Sequence, residues 1–172
     1  MTRFIRLGSA LMTAGIAACA SSGSHSPSAG AGPAHPPHWE GSFRISQMAA
    51  TAVIGPGQTG HAAGYGTIKL TPVAGPTPVV QAEVTVSAPV TAGTQLAWAV
   101  FSGPCGTMSG PVIGQMQFPT ISIANSGNGF VRANLPIAMD AHATYHANVY
   151  WSSQATDVSN VMMCANVELS DR

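Results

Sequence analysis

Alternation is the feature that most limits what this chain can fold into. Val80, Ala82, Val84 and Val86 are apolar, and Gln81, Glu83, Thr85 and Ser87 between them are polar. A period of two places the first set on one face of an extended strand and the second on the other, which no helix does. Comparable short runs recur from Gly41 onward, broken by Gly, Pro, Asn and Ser. Strands are predicted at Phe43–Ile54, Gly66–Val73, Val79–Ser87, Gln95–Ser102, Thr120–Ala124, Gly129–Pro136, Thr144–Ser153 and Val161–Leu169. The loop Asn125-Ser126-Gly127-Asn128-Gly129 supplies residues that tolerate positive φ, as a hairpin requires. No ten-residue stretch carries a helical stripe, and no 20–50-residue repeat points to a propeller or solenoid. The expectation is an all-β domain over 41–172, a Greek-key β-sandwich or barrel of about seven or eight strands.

Composition fits that reading. Hydrophobic residues make up 45% of the 172, enough for a core, and charged residues only 7%, far below the roughly 25% of an average soluble protein. Ser, Thr, Asn, Gln and Gly must therefore carry the polar surface. Six basic residues balance six acidic ones. Two of the basic ones, Arg3 and Arg6, fall at the extreme N-terminus, and nothing forms a basic patch for nucleic acid.

Those two arginines open a segment that reads as an export signal. A charge-free apolar run, Leu7 to Ala18, follows them and is too short to span a bilayer. Ile16-Ala17-Ala18-Cys19 resembles the lipobox of bacterial lipoproteins. That resemblance implies a signal peptide at 1–18, Cys19 as the first mature residue, and a diacylglyceryl group on its sulfur. Two or three acyl chains would hold the protein on a membrane, at about 0.8 kcal/mol per buried methylene. Ala20 stands where retention signals place Asp, so with two membranes the resemblance implies the outer one. The plainer alternative is an ordinary signal peptide in which Cys19 is incidental. Residues 19–40, rich in Ser, Gly, Ala and Pro, read as a flexible spacer; His35 and His38 within it are a weak copper or zinc pair at most.

With Cys19 set aside, Cys105 and Cys164 form an even remainder in an exported chain, which points to a disulfide rather than to two free buried thiols. The stretch from Gly66 to Leu169 also resembles the copper–zinc superoxide dismutase-like fold, especially the small exported bacterial domains related to it and to the CHRD domain. Gly66-Thr67-Ile68-Lys69-Leu70-Thr71-Pro72-Val73 is similar to the family's opening strand, and Leu135-Pro136 ends a strand as often happens there. Trp98-Ala99-Val100-Phe101-Ser102-Gly103-Pro104-Cys105-Gly106 resembles its Trp-His-Val-His-x-Gly-x-Cys segment. Tyr145-His146-Ala147-Asn148-Val149-Tyr150 resembles its Asn-Val-His strand, and Asp157 through Val161-Met162-Met163-Cys164-Ala165 its closing segment with the second half-cystine. The resemblance implies a dismutase-like fold; on the strand pattern alone an immunoglobulin-like sandwich serves equally.

At the positions where the family places copper-binding imidazoles, this chain has Ala99, Phe101 and Tyr150. Alanine and phenylalanine offer no donor atom, and tyrosine is a poor substitute for imidazole. No metal, cofactor or catalytic residue is therefore expected. The alternative is a relocated copper or zinc site on His61, His142 and His146, which extended strand geometry keeps apart unless the chain bends. Trp98, Phe101, Tyr145, Tyr150 and Trp151 are expected to pack together where the metal would lie, or, if exposed, to meet a glycan or a protein. Met108, Met116, Met139, Met162 and Met163 read as core filler rather than a Cu(I) site. Ser, His146 and Asp157 lack the Gly-x-Ser-x-Gly elbow of a hydrolase. The functional expectation is a non-catalytic, membrane-tethered envelope protein with a binding or structural role.

Overall fold

The run Val79–Ser87 forms strand β3 with the burial its alternation demands: Val80, Ala82, Val84 and Val86 face the core and Thr85 faces solvent. The computed structural model containing it describes residues 37–45, 64–151, 153 and 160–170. Cys19, His25, His35, His61 and Asp157 lie outside these residues, as do the presumed signal peptide and most of the spacer. The other strands are β1 (His38–Ile45), β2 (Tyr65–Val73), β4 (Gln95–Leu96), β5 (Trp98–Ser102), β6 (Ile121–Ser122), β7 (Asn128–Leu135), β8 (Tyr145–Tyr150) and β9 (Val161–Ser170). A single turn of 3-10 helix, Gln115–Gln117, is the only helical element among the described residues.

Several boundaries differ from expectation, the expected strand portion 46–54 lies outside the described residues, and two differences have a local reason. β1 starts at His38, inside the stretch read as spacer, because Trp39 and Phe43 share an inward face and are both buried. The run Gln95–Ser102 is two strands, not one: it leaves one sheet for the other at Ala97, the kind of corner by which strands switch sheets.

Seven strands form one antiparallel sheet in the order β5-β8-β9-β1-β2-β3-β7, and β4 pairs with β6 in a second, two-stranded ladder. Both edges of the large sheet meet that ladder. Ile123, just past β6, bridges to Gly129 on β7. At the other edge Ala97, between β4 and β5, accepts a 2.9 Å hydrogen bond from the Tyr150 amide. The meander β4/β5, β6, β7 followed by β8 returning beside β5 is a Greek key, so the fold is an all-β Greek-key barrel. Gly129 permits the closure: a Cβ there would stand 2.5 Å from Ile121 and 2.7 Å from Ile123. Gly127, at φ 79°, turns the hairpin before it.

Inside the barrel, Ile68, Leu70, Val84, Leu96, Trp98 and Val149 are fully enclosed. Each such side chain stabilises the fold by about 1.5–3 kcal/mol relative to exposure. Trp98 packs edge-to-face on Phe118 at 5.0 Å, and its indole N–H donates to the Pro119 carbonyl over 2.7 Å. Among the methionines, Met162 and Met163 are buried, whereas Met108, in a loop, and Met116, in the 3-10 turn, are exposed, so the core reading holds for the strand pair and fails for those two.

Candidate functional site

Ordinary barrel strands bury one face. β5 and β8 bury both: Trp98 to Phe101 and Tyr145 to Tyr150 are all buried. Register explains which side chains point where. Trp98, Val100, Tyr145, Ala147 and Val149 face the barrel interior, and Ala99, Phe101, His146, Asn148 and Tyr150 face outward. The expected single aromatic cluster is therefore divided by the sheet, because Trp98 and Tyr145 differ in parity from Phe101 and Tyr150.

The segment 103–117 covers the outward set and is fastened at several points. Cys105 is joined to Cys164 on β9, with Cα atoms 6.0 Å apart. The Cys105 amide donates to Asn166 Oδ1 (2.7 Å), and the Val112 amide to the Val100 carbonyl (2.9 Å). Pro111 bridges to Phe101. Gly103, at φ 87°, starts the turn, and its carbonyl lies 2.8 Å from His146 Nδ1.

His146 sits at the centre of this layer, with no solvent exposure. Its ring stacks on Phe101, the centroids 5.1 Å apart and the planes 16° from parallel. A carbonyl can only accept, so Nδ1 carries the proton and Nε2 is left with a bare lone pair. Among the described residues Nε2 is the one buried side-chain polar atom without a hydrogen-bond partner. Burial lowers the imidazole pKa, opposed by the Gly103 hydrogen bond, so the ring is held neutral. Further along β8, burial raises the Tyr150 phenol above its ordinary range, against a smaller lowering by its hydrogen bond with Asn148.

These donors do not fit the copper site that the dismutase-like resemblance implies. Ala99 and Phe101 bring a methyl group and a hydrocarbon ring, the Tyr150 hydroxyl is engaged with Asn148, and His146 is a single imidazole. No group of three His, Cys, Asp or Glu side chains suited to a metal occurs among the described residues. Of the relocated set, His142 lies in an exposed turn with its amide on Asp140 Oδ1 (2.8 Å), while His146 is enclosed beneath 103–117. His61 is outside the described residues. His38, read as a solvated linker residue, is instead buried on β1 with Nε2 3.5 Å from Glu40.

A second feature lies on the same outward face and was not legible in the sequence. Strand register assembles three parallel rows. Asn166, Ser42, Thr67, Thr85 and Phe130 stand level across β9, β1, β2, β3 and β7. On one side runs Cys164, Arg44, Tyr65, Ser87 and Asn128; on the other, Glu168, Glu40, Lys69, Glu83 and Arg132. A groove of about 1370 Å³, walled by Cys105 to Met108, opens over Ser42, Thr67, Asn148 and Asn166. Alternation marked Glu83, Thr85 and Ser87 as outward, but only non-local pairing sets them beside the others. Comparison with known protein families, with curated proteins and with solved structures finds no match to this chain.

Proposed function

We propose that this chain is an exported, lipid-anchored, non-catalytic protein of the bacterial envelope, whose barrel is a dismutase-like domain with packing in place of metal chemistry. The observation that carries the reading is Phe101. At a position matching a copper ligand it lies stacked on a neutral, buried His146 beneath a segment tied down by Cys105–Cys164. A close-packed interior stabilises the sandwich without an ion, and no first-row metal gains affinity from a site lacking donors. The lipid anchor rests on the Ile16-Ala17-Ala18-Cys19 segment, and the outer membrane on Ala20. The barrel then serves a binding or structural role at the end of a tether.

Two measurements test this. Elemental analysis of the full chain after exposure to copper and zinc and exhaustive dialysis is expected to find no stoichiometric metal, and the same sample is expected not to dismute superoxide. Stoichiometric metal that disappears in His142→Ala or His146→Ala would replace this reading with a relocated metal site. Radiolabelled palmitate should enter the wild type and not Cys19→Ser; equal labelling of both would remove the anchor from the proposal.

A further inference from the structure

Two large aromatic side chains stand out from the barrel's outward face instead of packing: Tyr65 on β2 is 65% exposed and Phe130 on β7 is 56% exposed. One strand, β3, separates them, and they are offset by one row. Strand spacing and rise put their Cα positions about 12 Å apart. Between them the surface is made of hydroxyls and amides, and beside Tyr65 on β1 stands the exposed Arg44. Thr67 and Thr85 are hydrogen-bonded to each other (2.7 Å), with Ser87 and Asn128 on one side and Ser42 and Asn166 further along the same row.

Apart from Arg44 beside Tyr65, the charge on this face is gathered away from the aromatic pair. Glu83 is paired with Arg132, and Lys69 stands between Glu40 and Glu83 on the neighbouring strands. Most charges of the described residues are thus gathered into one row that largely neutralises itself, and the adjoining row from Asn166 to Phe130 carries none. An anionic or cationic polymer finds no matching stripe here. Aromatic faces separated by fixed hydroxyl and amide groups match instead a neutral molecule that alternates apolar C–H faces with hydroxyls.

We propose that the outward face of β2, β3 and β7 is a platform for a neutral polysaccharide, which runs diagonally from Phe130 to Tyr65 with one sugar face stacked on each ring and Thr85, Ser87 and Thr67 between and beside them. The Cα separation is of the order of a disaccharide repeat. The groove walled by Cys105 to Met108 adjoins this track at Thr67 and Ser42, and its lining adds Glu40, Arg44, Lys69 and Glu168, two charges of each sign. The inference rests on the reading of the barrel as a binding domain and gives that role a ligand class.

Affinity electrophoresis of the full chain in detergent, through native gels containing hydroxyethylcellulose, laminarin or glycol chitin, is the test, with anionic polygalacturonate as the counter-probe. Retardation by at least one neutral polymer is expected. Tyr65→Ala and Phe130→Ala should each weaken it by about tenfold, the usual scale for truncating an aromatic anchor, while Tyr65→Phe retains it. Both side chains are exposed, so the near-UV circular dichroism of each variant checks that the barrel is intact. Absence of retardation in all three neutral gels would overturn the proposal, as would retardation by polygalacturonate alone or retardation unchanged in the Tyr65→Ala/Phe130→Ala double variant. None of these outcomes bears on metal content, so the non-catalytic reading stands or falls separately.

Discussion

His146 concentrates the energetics of the covered layer in one side chain. Its Nδ1–H satisfies the Gly103 carbonyl, its ring covers Phe101, and its Nε2 is buried without a described partner. Truncation in His146→Ala leaves a cavity and an unpaired carbonyl together, a loss of about 2–4 kcal/mol that urea denaturation at pH 7.5 will measure. The same burial gives the fold a pH dependence of defined sign. Above the unfolded pKa of 6.5 both states are neutral, and the full stability is present. As pH falls through that value, the unfolded chain takes up a proton that the folded chain resists. Stability then declines with a slope approaching about 1.4 kcal/mol per pH unit, until the lowered folded pKa is reached. Denaturation midpoints between pH 7.5 and 5 should therefore fall more steeply for the wild type than for His146→Phe; parallel slopes would show that the ring does not titrate this way.

Among the elements, β6 and β7 approach each other closely at Gly129. Any Cβ at that position meets Ile121 and Ile123 inside normal contact distance, and the neighbouring Ser122 carbonyl at 3.1 Å limits relief. Gly129→Val is expected to cost about 1–3 kcal/mol or more through overpacking. Gly110→Val should be close to neutral, since nothing lies within 4 Å of a Cβ there. Thermal melts of the two variants make the comparison, and equal melting temperatures would mean that the barrel does not close through this crossing. The sequence showed a glycine-rich hairpin at 125–129. It did not show that Gly127 serves the turn while Gly129 serves a contact, because the second role depends on a strand from the other ladder.

For the molecule as a whole, closure depends on partners far apart in the chain. β1 pairs with β9, so that Glu40 stands beside Glu168, and Cys105 is bonded across 59 residues to Cys164. Cross-linking a loop of that length stabilises by about 4 kcal/mol on the chain-entropy account. Reduction with dithiothreitol should lower the urea midpoint accordingly, and Cys105→Ala/Cys164→Ala should match the reduced wild type. An unchanged midpoint would show that 103–117 is held by its hydrogen bonds alone. Non-local strand pairing also places refolding in the milliseconds-to-seconds range of all-β barrels, which stopped-flow fluorescence of Trp39 and Trp98 will report.

By itself the sequence determined what is written at short range. Period-two alternation marked several strands and, most clearly in Val79–Ser87, the face that turns inward, Gly and Asn marked the turns, and the cysteine count pointed to the pair that is bonded. These are properties of neighbouring residues, and tertiary contacts only select among them. Burial of β5 and β8 on both faces could not be read, because the cover over Phe101 and His146 comes from 103–117 folding back onto its own strand. Nor could the row from Asn166 to Phe130. A shift of one residue in any ladder would turn that strand's outward residues inward, and a shift of two would align different neighbours, so the row exists only once every register is fixed. Alternation is local and names a face; register is collective and decides which side chains stand together on it.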